Sequence, residues 1–187
     1  NTVNVEDKTA SIYVDWEFAT ERLNIDDLVL NVKLESDSGI VFNKDYKIYS
    51  TVFRTRLNDL KNIDLWWPRG YGDPSLYNAT LTILDGDGKV ITEDKQKIGI
   101  RTVTLDRTDI TTKEEPGEFV FIVNNEKIFV KGTNWVALDA LHSRDKDHIK
   151  PCVDMMIDLN CNMIRMWGGN VYEHDYFYDL CDAHGIM

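Results

Sequence analysis

The sequence lacks a basic surface, a paired-cysteine pattern and any long apolar run. Its 187 residues include 21 Lys and Arg against 32 Asp and Glu, a formal net charge of −11. This balance argues against nucleic acid and anionic membranes as partners, because both require clustered basic side chains. It is compatible with a neutral partner such as a carbohydrate. No apolar stretch approaches the roughly 18 residues of a membrane-spanning helix.

Cysteine is scarce, and its pattern excludes two kinds of site. Cys152, Cys161 and Cys181 are an odd set without a Cys-x-x-Cys spacing. Neither a disulfide framework nor a zinc site is therefore expected, and buried free thiols are the simpler interpretation. The four histidines also lack metal-ligand spacing. We expect no metal and no cofactor. The chain opens in polar sequence, so we expect its natural start to lie elsewhere, and no compartment is predicted.

Apolar residues make up 43% of the chain, which is ample for a core. In residues 10–18, Ile12, Val14, Trp16 and Phe18 share one face. Further strands are expected over residues 28–34, 46–57, 75–84 and 90–105, with Asp85–Gly88 forming a hairpin turn. Strands of period two with turns about every ten residues predict an antiparallel β-sandwich over residues 1–106.

An aromatic segment, Trp66–Gly72, interrupts this strand pattern. Two adjacent tryptophans could bind the faces of a sugar. Such a cluster more often closes the end of a sandwich or packs against a neighbouring domain, and we favour that interpretation.

The remaining residues change pattern. We interpret residues 107–118 as a polar linker and Phe119–Lys131 as a hairpin that turns at Asn124–Lys127. There follow a helix over 145–160, a strand over 162–167, a helix over 175–184 and the first residues of another strand. The first helix has an apolar stripe that includes Ile149 and Val153, and Gly185 is expected as the left-handed cap of the second. Alternation of strand and helix predicts a parallel sheet with right-handed crossovers.

A candidate ligand site lies at the end of the second of these parallel strands. Arg165 and Trp167 alternate there, so both side chains project from one face. The carboxyl ends of parallel strands carry ligand groups in α/β folds. An arginine and a tryptophan can bind a sugar by hydrogen bonding and by stacking. Alternatively, Trp167 covers the open end of the fold and Arg165 pairs with a buried carboxylate.

Several short motifs, each occurring once, follow one another from about Leu65 to Met187. They are Trp66-Trp67-Pro68, Gly70-Tyr71-Gly72, Leu76-Tyr77, Gly99-Ile100-Arg101, Val123-Asn124, Ile128–Trp135, Asp139, Asn162–Gly169, Tyr172-Glu173, Phe177–Asp182 and Gly185. Together they resemble glycoside hydrolase family 2, nearest its β-mannosidase branch. The resemblance implies an immunoglobulin-like sandwich followed, over residues 119–187, by the first βαβα units of a (β/α)8 barrel.

The resemblance also implies a chemistry. Family members are retaining glycosidases, in which an acid/base carboxyl and a nucleophilic carboxylate lie about 5 Å apart. They are implied at the ends of the fourth and seventh barrel strands, which this sequence does not reach, so we expect the chain to be inactive by itself. The implied parent enzyme removes terminal non-reducing β-D-mannose. Alternatives are a β-galactosidase, β-glucuronidase or exo-β-glucosaminidase specificity, or a non-catalytic carbohydrate-binding or scaffolding module.

By the same resemblance, five residues line the subsite for the terminal sugar: Asn134, Trp135, Asp139, Arg165 and Trp167. Other carboxylates nearby, such as Glu173 and Asp175, are expected to favour a helix dipole rather than to act in catalysis. Incomplete barrel edges would also expose unpaired strands, so we expect self-association or disorder in residues 119–187.

Overall fold

A computed structural model describes residues 2–169 and 171–187. The chain divides into two compact units, and two of the breaks flank the aromatic segment. The first, here called the sandwich unit, contains the residues up to Asp64 and Leu76–Ile100. The second, here called the α/β unit, contains Leu65–Ser75 and Arg101–Met187.

The sandwich unit consists of seven antiparallel strands in two sheets. The strands are β1 (Thr2–Asn4), β2 (Thr9–Glu17), β3 (Val29–Ser36), β4 (Gly39–Lys47), β5 (Val52–Lys61), β6 (Tyr77–Leu84) and β7 (Val90–Ile98). One sheet has the order β1-β2-β5 and the other has the order β4-β3-β6-β7. The predicted β-sandwich is therefore confirmed.

Alternation of apolar and polar residues builds the core of the sandwich unit. Leu30, Val32 and Leu34 on β3 are at most 2% exposed, and Ile12 and Trp16 on β2 are also buried. Each buried side chain of this size contributes roughly 1.5–3 kcal/mol through removal from water. The faces of β2 and β3 that the sequence predicts to be apolar are the faces that the unit buries.

Two predicted strands are split in the structure. The strand expected over 46–57 is divided into β4 and β5, which belong to different sheets. The strand expected over 90–105 ends at Ile98, and pairing resumes at Val103 in a sheet of the α/β unit. The apolar phase shifts by one residue at each break, from Ile98 and Ile100 to Val103 and Leu105 at the second, and the predicted strands overlooked this shift.

The predicted hairpin turn between β6 and β7 is present. Asp85 Oδ1 accepts hydrogen bonds from the backbone N–H groups of Asp87 and Lys89, at 3.1 and 2.9 Å. Gly88 adopts a φ of +79°, which a side chain would disfavour. The side-chain hydrogen bonds of Asp85 and the positive φ of Gly88 therefore stabilise this hairpin turn.

The α/β unit contains two sheets and two α-helices. An antiparallel sheet consists of β8 (Val103–Arg107), β9 (Phe119–Val123) and β10 (Glu126–Ile128). A second sheet and the helices follow as β11 (Gly132–Trp135), a 3-10 helix (His142–Arg144), α1 (Asp145–Asp158), β12 (Met163–Met166) and α2 (Asp175–His184). Both predicted helices are found, although α1 ends two residues earlier than expected.

The segment predicted as a linker lies within one sheet. Arg107 on β8 pairs with Phe119 on β9, so residues 108–118 connect two neighbouring strands. Thr108 and Glu118 exchange two hydrogen bonds at the neck of this loop, at 2.9 and 2.8 Å. The assignments of 1–106, 107–118 and 119–187 therefore differ from the division of the structure. A polar stretch with Pro and Gly is equally suited to a long hairpin loop and to a linker.

The predicted parallel pairing is present in the second sheet. β11 and β12 run parallel, with Gly132 opposite Met163 and Trp135 opposite Met166. On the other side of β12, Met187 N donates to Asn162 O, and Ile164 N donates to Met187 O, at 2.9 and 2.7 Å. Met187 thus makes two backbone hydrogen bonds beside β12, on the edge that β11 does not occupy.

The helices cover this parallel sheet with their apolar stripes. Residues from the strands and helices form one buried cluster: Trp135, Ile149, Val153, Phe177, Cys181 and Ile186. α2 ends at Gly185, whose φ of +71° and N–H bond to Cys181 O form the predicted left-handed cap. No helix within residues 2–169 and 171–187 is long and apolar enough to cross a membrane.

The aromatic segment packs into the α/β unit. Trp66 is 1% exposed, and its indole N–H donates to Asp182 O at 2.7 Å. The Arg101 guanidinium lies 4.1 Å from the centre of the Trp66 ring. Asn124 Nδ2 donates to Trp66 O at 3.0 Å. The packing interpretation of this segment therefore fits Trp66 better than sugar binding does.

Candidate functional site

The carboxyl ends of β11 and β12 bring two predicted site residues together. Asn134 and Arg165 occupy opposite positions in the parallel register. Arg165 Nη1 donates a hydrogen bond to Asn134 Oδ1 at 3.1 Å, and both residues are exposed. The pair leaves the remaining guanidinium N–H groups and the Asn134 amide N–H groups available to a ligand.

Trp167 follows this pair immediately beyond the end of β12. Its side chain is 50% exposed. Its backbone N–H donates to Trp135 O at 3.2 Å, which extends the contact between the two strand ends. The ring lies over Gly169, where an added Cβ would come within 2.6 Å of it. Trp167 therefore offers an accessible aromatic surface. Gly169, which has no side chain, leaves room for the Trp167 ring.

Trp135 lies beneath the surface rather than on it. It is 2% exposed, and its ring centre is 4.6 Å from that of Phe177. Its indole N–H donates to Glu173 Oε1 at 2.9 Å. Trp135 can therefore support the site from the core, but its ring does not offer a face to a ligand.

Glu173 is a component that sequence reasoning did not assign to the site. The residue is 6% exposed, and it lies in the connection between β12 and α2. One carboxyl oxygen accepts from Trp135, and the other is buried without a partner in the described part of the chain. The Tyr172-Glu173 motif was the only sequence signal, since nothing in a local pattern reveals a bond to a residue 38 positions away.

Asp139 organises the loop before α1. Its Oδ1 accepts from Leu141 N at 2.9 Å, and its Oδ2 lies 3.5 Å from Arg144 Nη1 and 3.6 Å from His148 Nε2. Among the described residues, no hydrogen bond or ion pair joins Asp139 to Arg165 or to Trp167. The structure thus assembles Asn134, Arg165 and Trp167 at one edge, while Asp139 holds the adjacent loop.

A buried carboxylate completes that loop. Asp145, the first residue of α1, is 1% exposed. Its Oδ1 accepts from Asp139 N at 2.8 Å, and its Oδ2 lies 2.6 Å from His142 Nδ1. The His142 ring stacks on that of His174, with ring centres 6.2 Å apart. These contacts fix the loop geometry after β11, and local sequence patterns did not predict them.

Titratable groups around the core of this unit behave as structural residues. Burial raises the pKa of the Cys181 thiol to about 12, so the thiol stays protonated at neutral pH. Burial also raises the pKa of Asp182, against the opposing effect of the Arg101 charge. Within the described residues, no group of three or more His, Cys, Asp or Glu side chains could hold a metal ion.

The exposed groups at the strand ends suit binding rather than bond cleavage. An amide, a guanidinium and an indole can hydrogen bond and stack, but none is an acid or a nucleophile of ordinary reactivity. The Glu173 carboxylate is buried and bonded to Trp135. Asn134, Arg165 and Trp167 thus form an exposed polar and aromatic patch at the strand ends.

The family model "Glycosyl hydrolases family 2" matches residues 2–101, more than half of the chain. The chain belongs to this family. The match covers the sandwich unit, which contains few of the short sequence motifs described above.

Curated relatives are β-mannosidases. The mouse (Mus musculus) β-mannosidase is 36% identical over 159 residues, covering 83% of this chain and 17% of the mouse protein. β-Mannosidase B of Aspergillus terreus is 40% identical over 131 residues, covering 69% of this chain and 15% of the fungal protein. The chain is β-mannosidase-like, and it spans less than a fifth of the length of these relatives.

Solved structures agree with this fold. The β-D-mannosidase of Dictyoglomus thermophilum matches with a TM-score of 0.78 and 28% identity, over 100% of this chain and 22% of that one. A β-glucuronidase of Parabacteroides merdae matches with a TM-score of 0.77 and 21% identity, over 100% and 22%. At that identity, the second likeness concerns the fold alone.

Proposed function

We propose that this chain is part of a retaining exo-β-glycosidase, a β-mannosidase that removes terminal non-reducing β-D-mannose. One observation carries the proposal. A chain whose curated relatives are β-mannosidases presents Asn134, Arg165 and Trp167 together at the carboxyl ends of two parallel strands. Such strand ends are where barrel enzymes hold their substrates.

The architecture we propose has two parts. The sandwich unit is immunoglobulin-like, which is supported by its three-stranded and four-stranded sheets and by the pairing of β3 with both β4 and β6. The α/β unit contains the first strand–helix repeats of a (β/α)8 barrel. The parallel pairing of β11 with β12 and the ladder bonds of Met187 support this assignment.

In the proposed site, the five predicted residues have different roles. Arg165 and Asn134 donate hydrogen bonds to sugar hydroxyls, and Trp167 packs against an apolar face of the sugar. Trp135 supports this edge from the core, and Asp139 holds the loop that forms the next part of the rim. The acid/base and nucleophilic carboxylates of the retaining reaction are supplied by further strands of the complete enzyme.

A direct comparison of activities tests the assignment. The complete enzyme and the 187-residue chain would be assayed on aryl β-mannoside, β-galactoside, β-glucuronide and β-glucosaminide. We expect hydrolysis of the mannoside with retention of configuration by the complete enzyme, and none by the chain. Preference for another of these sugars would change the specificity. Tight binding of β-mannosides by the chain in calorimetry, with an inactive complete protein, would favour a non-catalytic binding module.

Substitutions at the strand ends test the site itself. In the complete enzyme, Arg165→Ala should lower kcat/KM about 100-fold, since bonds to charged groups contribute roughly 1.5–3 kcal/mol. Trp167→Ala should lower it about tenfold through lost stacking. Two adjacent glycines provide a matched pair. Gly169→Ala would displace the Trp167 ring, whereas a Cβ at Gly168 meets nothing within 4 Å.

The expected order of damage is Arg165→Ala, Trp167→Ala, Gly169→Ala and then Gly168→Ala, the last close to wild type. Equal activity of all four variants would remove Arg165 and Trp167 from the substrate site. Equal damage by Gly168→Ala and Gly169→Ala would show that the loop backbone, rather than the position of the Trp167 ring, determines the loss.

We also propose that the isolated chain self-associates through its parallel sheet. Among the described strands, β11 pairs with β12 alone, which leaves its other edge unpaired. Large apolar side chains are exposed nearby, with Phe129 75% and Val136 49% accessible. Light scattering at increasing concentration should show growth beyond the mass of 21.6 kDa. A constant monomer mass at all concentrations would contradict this proposal.

A further inference from the structure

Glu173 combines burial with an incomplete set of hydrogen bonds. Its Oε1 accepts from the Trp135 indole, while its Oε2 is buried and has no partner within the described residues. A carboxylate oxygen withdrawn from water without a donor is unfavourable for folding. An apolar side chain of similar size would remove this unpaired oxygen, but it would also leave the Trp135 indole N–H without an acceptor. The bond to Trp135 is therefore what Glu173 supplies.

Among the described residues, Glu173 accepts its side-chain hydrogen bond from Trp135, which links the ends of β11 and β12. Trp135 is the last residue of β11 and directly follows Asn134, the partner of Arg165. The carbonyl of Trp135 accepts from Trp167 N, and its indole donates to Glu173. The main chain and the side chain of Trp135 are thus both held by the segment that leaves β12. A shift of the Trp135 ring would move its neighbour Asn134 and its partner Trp167.

Packing in the core cluster confines this ring, and the hydrogen bond adds a fixed direction to that confinement. The centre of the Phe177 ring lies 4.6 Å from that of Trp135, with the ring planes tilted by 44°. A hydrogen bond from the single indole donor to a fixed acceptor sets both the tilt and the depth of the ring.

We propose that Glu173 is a positioning residue. Through the Trp135 indole, it fixes the carboxyl end of β11 and thereby the arrangement of Asn134, Arg165 and Trp167 that receives the sugar. This inference rests on the proposed function for its effect on catalysis, but the bond and its consequences for the strand ends are testable without activity.

Two substitutions separate positioning from packing. Glu173→Leu fills the same space without an acceptor, whereas Glu173→Gln keeps a carbonyl oxygen for the indole. We expect the complete enzyme with Glu173→Leu to stay folded at the assay temperature, although the Trp135 indole N–H loses its acceptor, and to lose at least tenfold in kcat/KM, mainly through KM. Glu173→Gln should remain within about threefold of wild type. A merely structural residue would show the opposite, namely lost stability with unchanged kinetics in the molecules that remain folded.

A second measurement uses the chain without catalysis. In the isotopically labelled chain, the Trp135 indole N–H signal should exchange slowly with solvent, and should shift and exchange faster in Glu173→Leu but not in Glu173→Gln. The side-chain signals of Asn134 and Arg165 should shift with it in the Leu variant. Gly168→Ala serves as a control at a nearby position where an added Cβ meets nothing.

The outcomes distinguish the two proposals. If the complete enzyme cleaves none of the four aryl glycosides while the Asn134 and Arg165 signals respond as expected, the proposed function fails and the positioning role stands. If those signals stay unchanged in Glu173→Leu, or if kcat/KM of an active enzyme is unaffected, the positioning role is overturned. Equal kinetic damage from Gln and Leu would also overturn it, because the acceptor would then be irrelevant.

Discussion

The two units bury different kinds of polar residue. In the sandwich unit, the buried polar side chains are Thr55, Thr80 and Thr82. In the α/β unit, they are Asn124, Asp145, Asn162 and Glu173, which are amides and carboxylates. Threonine fits a strand through its β-branched shape, whereas a buried amide or carboxylate needs designated partners. The sandwich is thus specified by shape, and the α/β unit by directed hydrogen bonds as well.

The reason lies in the backbone of each unit. Long antiparallel ladders satisfy the N–H and C=O groups of the sandwich strands. The α/β unit has short strands joined by irregular segments, whose backbone groups are satisfied by side chains. Asn162 Oδ1 accepts from Lys131 N at 2.9 Å, and its Nδ2 donates to Phe129 O at 3.1 Å. Asn124 similarly accepts from Thr102 N and donates to Trp66 O.

The largest test of this contrast is a pair of asparagine substitutions. Asn162→Ala should lower the free energy of unfolding of the α/β unit by about 2 kcal/mol, because two part-buried backbone groups lose their bonds to a fully buried side chain. Asn31 on β3 also makes two side-chain bonds, to Asn43 at 2.8 Å and Asp45 at 2.7 Å, but at an exposed site. Asn31→Ala should cost less than about 0.5 kcal/mol.

Urea denaturation followed by hydrogen exchange with mass spectrometry would assign each loss to its unit. Similar losses for the two substitutions would show that the number of bonds, rather than their burial, governs stability. Loss of protection in the sandwich strands on Asn162→Ala would contradict the expectation that the effect stays within the α/β unit.

The same contrast explains how far the sequence could predict the molecule. Strand faces such as that of Leu30 and Val32, the α1 stripe through Ile149 and Val153, and the cap at Gly185 depend on residues close together in the chain, and all were predicted. The pairing of β8 with β9 and the buried bonds of Asp145 and Glu173 depend on distant or irregular segments. No periodicity encodes them.

The candidate site illustrates the same limit. Arg165 and Trp167 were predicted to share a face because they alternate along one strand, and Asn134 joins Arg165 through the parallel register. Trp135 was assigned to the sugar subsite but is buried, because it is the last residue of β11 and successive residues of a strand point to opposite faces. The substrate-binding roles of these residues stay predictions until the substitutions above are measured.

Alkaline pH offers an intermediate test, directed at Cys181. Its ordinary pKa of 9.0 applies to the unfolded chain, and burial raises the pKa of the folded thiol to about 12. Between these values the folded state binds more protons than the unfolded state. The free energy of unfolding should therefore fall as the pH rises from 9 to 12, by up to about 1.4 kcal/mol per pH unit.

Cys181→Ala should remove this contribution, so the difference between the pH profiles of wild type and variant isolates it. The sandwich unit contains no cysteine, but burial raises the pKa of its Tyr77 above the ordinary 10.0. Its alkaline sensitivity should begin about one pH unit higher and should be altered by Tyr77→Phe. Parallel profiles for wild type and Cys181→Ala would refute a buried, protonated thiol.

The smallest expected effect comes from an exposed ion pair whose shortest distance equals that of a hydrogen bond to a buried carboxylate. Arg54 Nε lies 2.6 Å from Asp15 Oδ1 on the sandwich surface, and His142 Nδ1 lies 2.6 Å from the buried Asp145 Oδ2. Arg54 lowers the pKa of Asp15, so this pair favours folding above the ordinary value of 3.8, and its contribution is lost as the pH falls through the lowered value.

Water and salt screen the exposed pair of Arg54 and Asp15. Asp15→Asn should therefore leave the urea midpoint of the sandwich unit unchanged at 0.15 M salt, whereas Asp145→Asn should cost roughly 1–3 kcal/mol in the α/β unit. Because the two distances are equal, unequal losses would identify burial as the deciding variable, and equal losses would refute the contrast between the units.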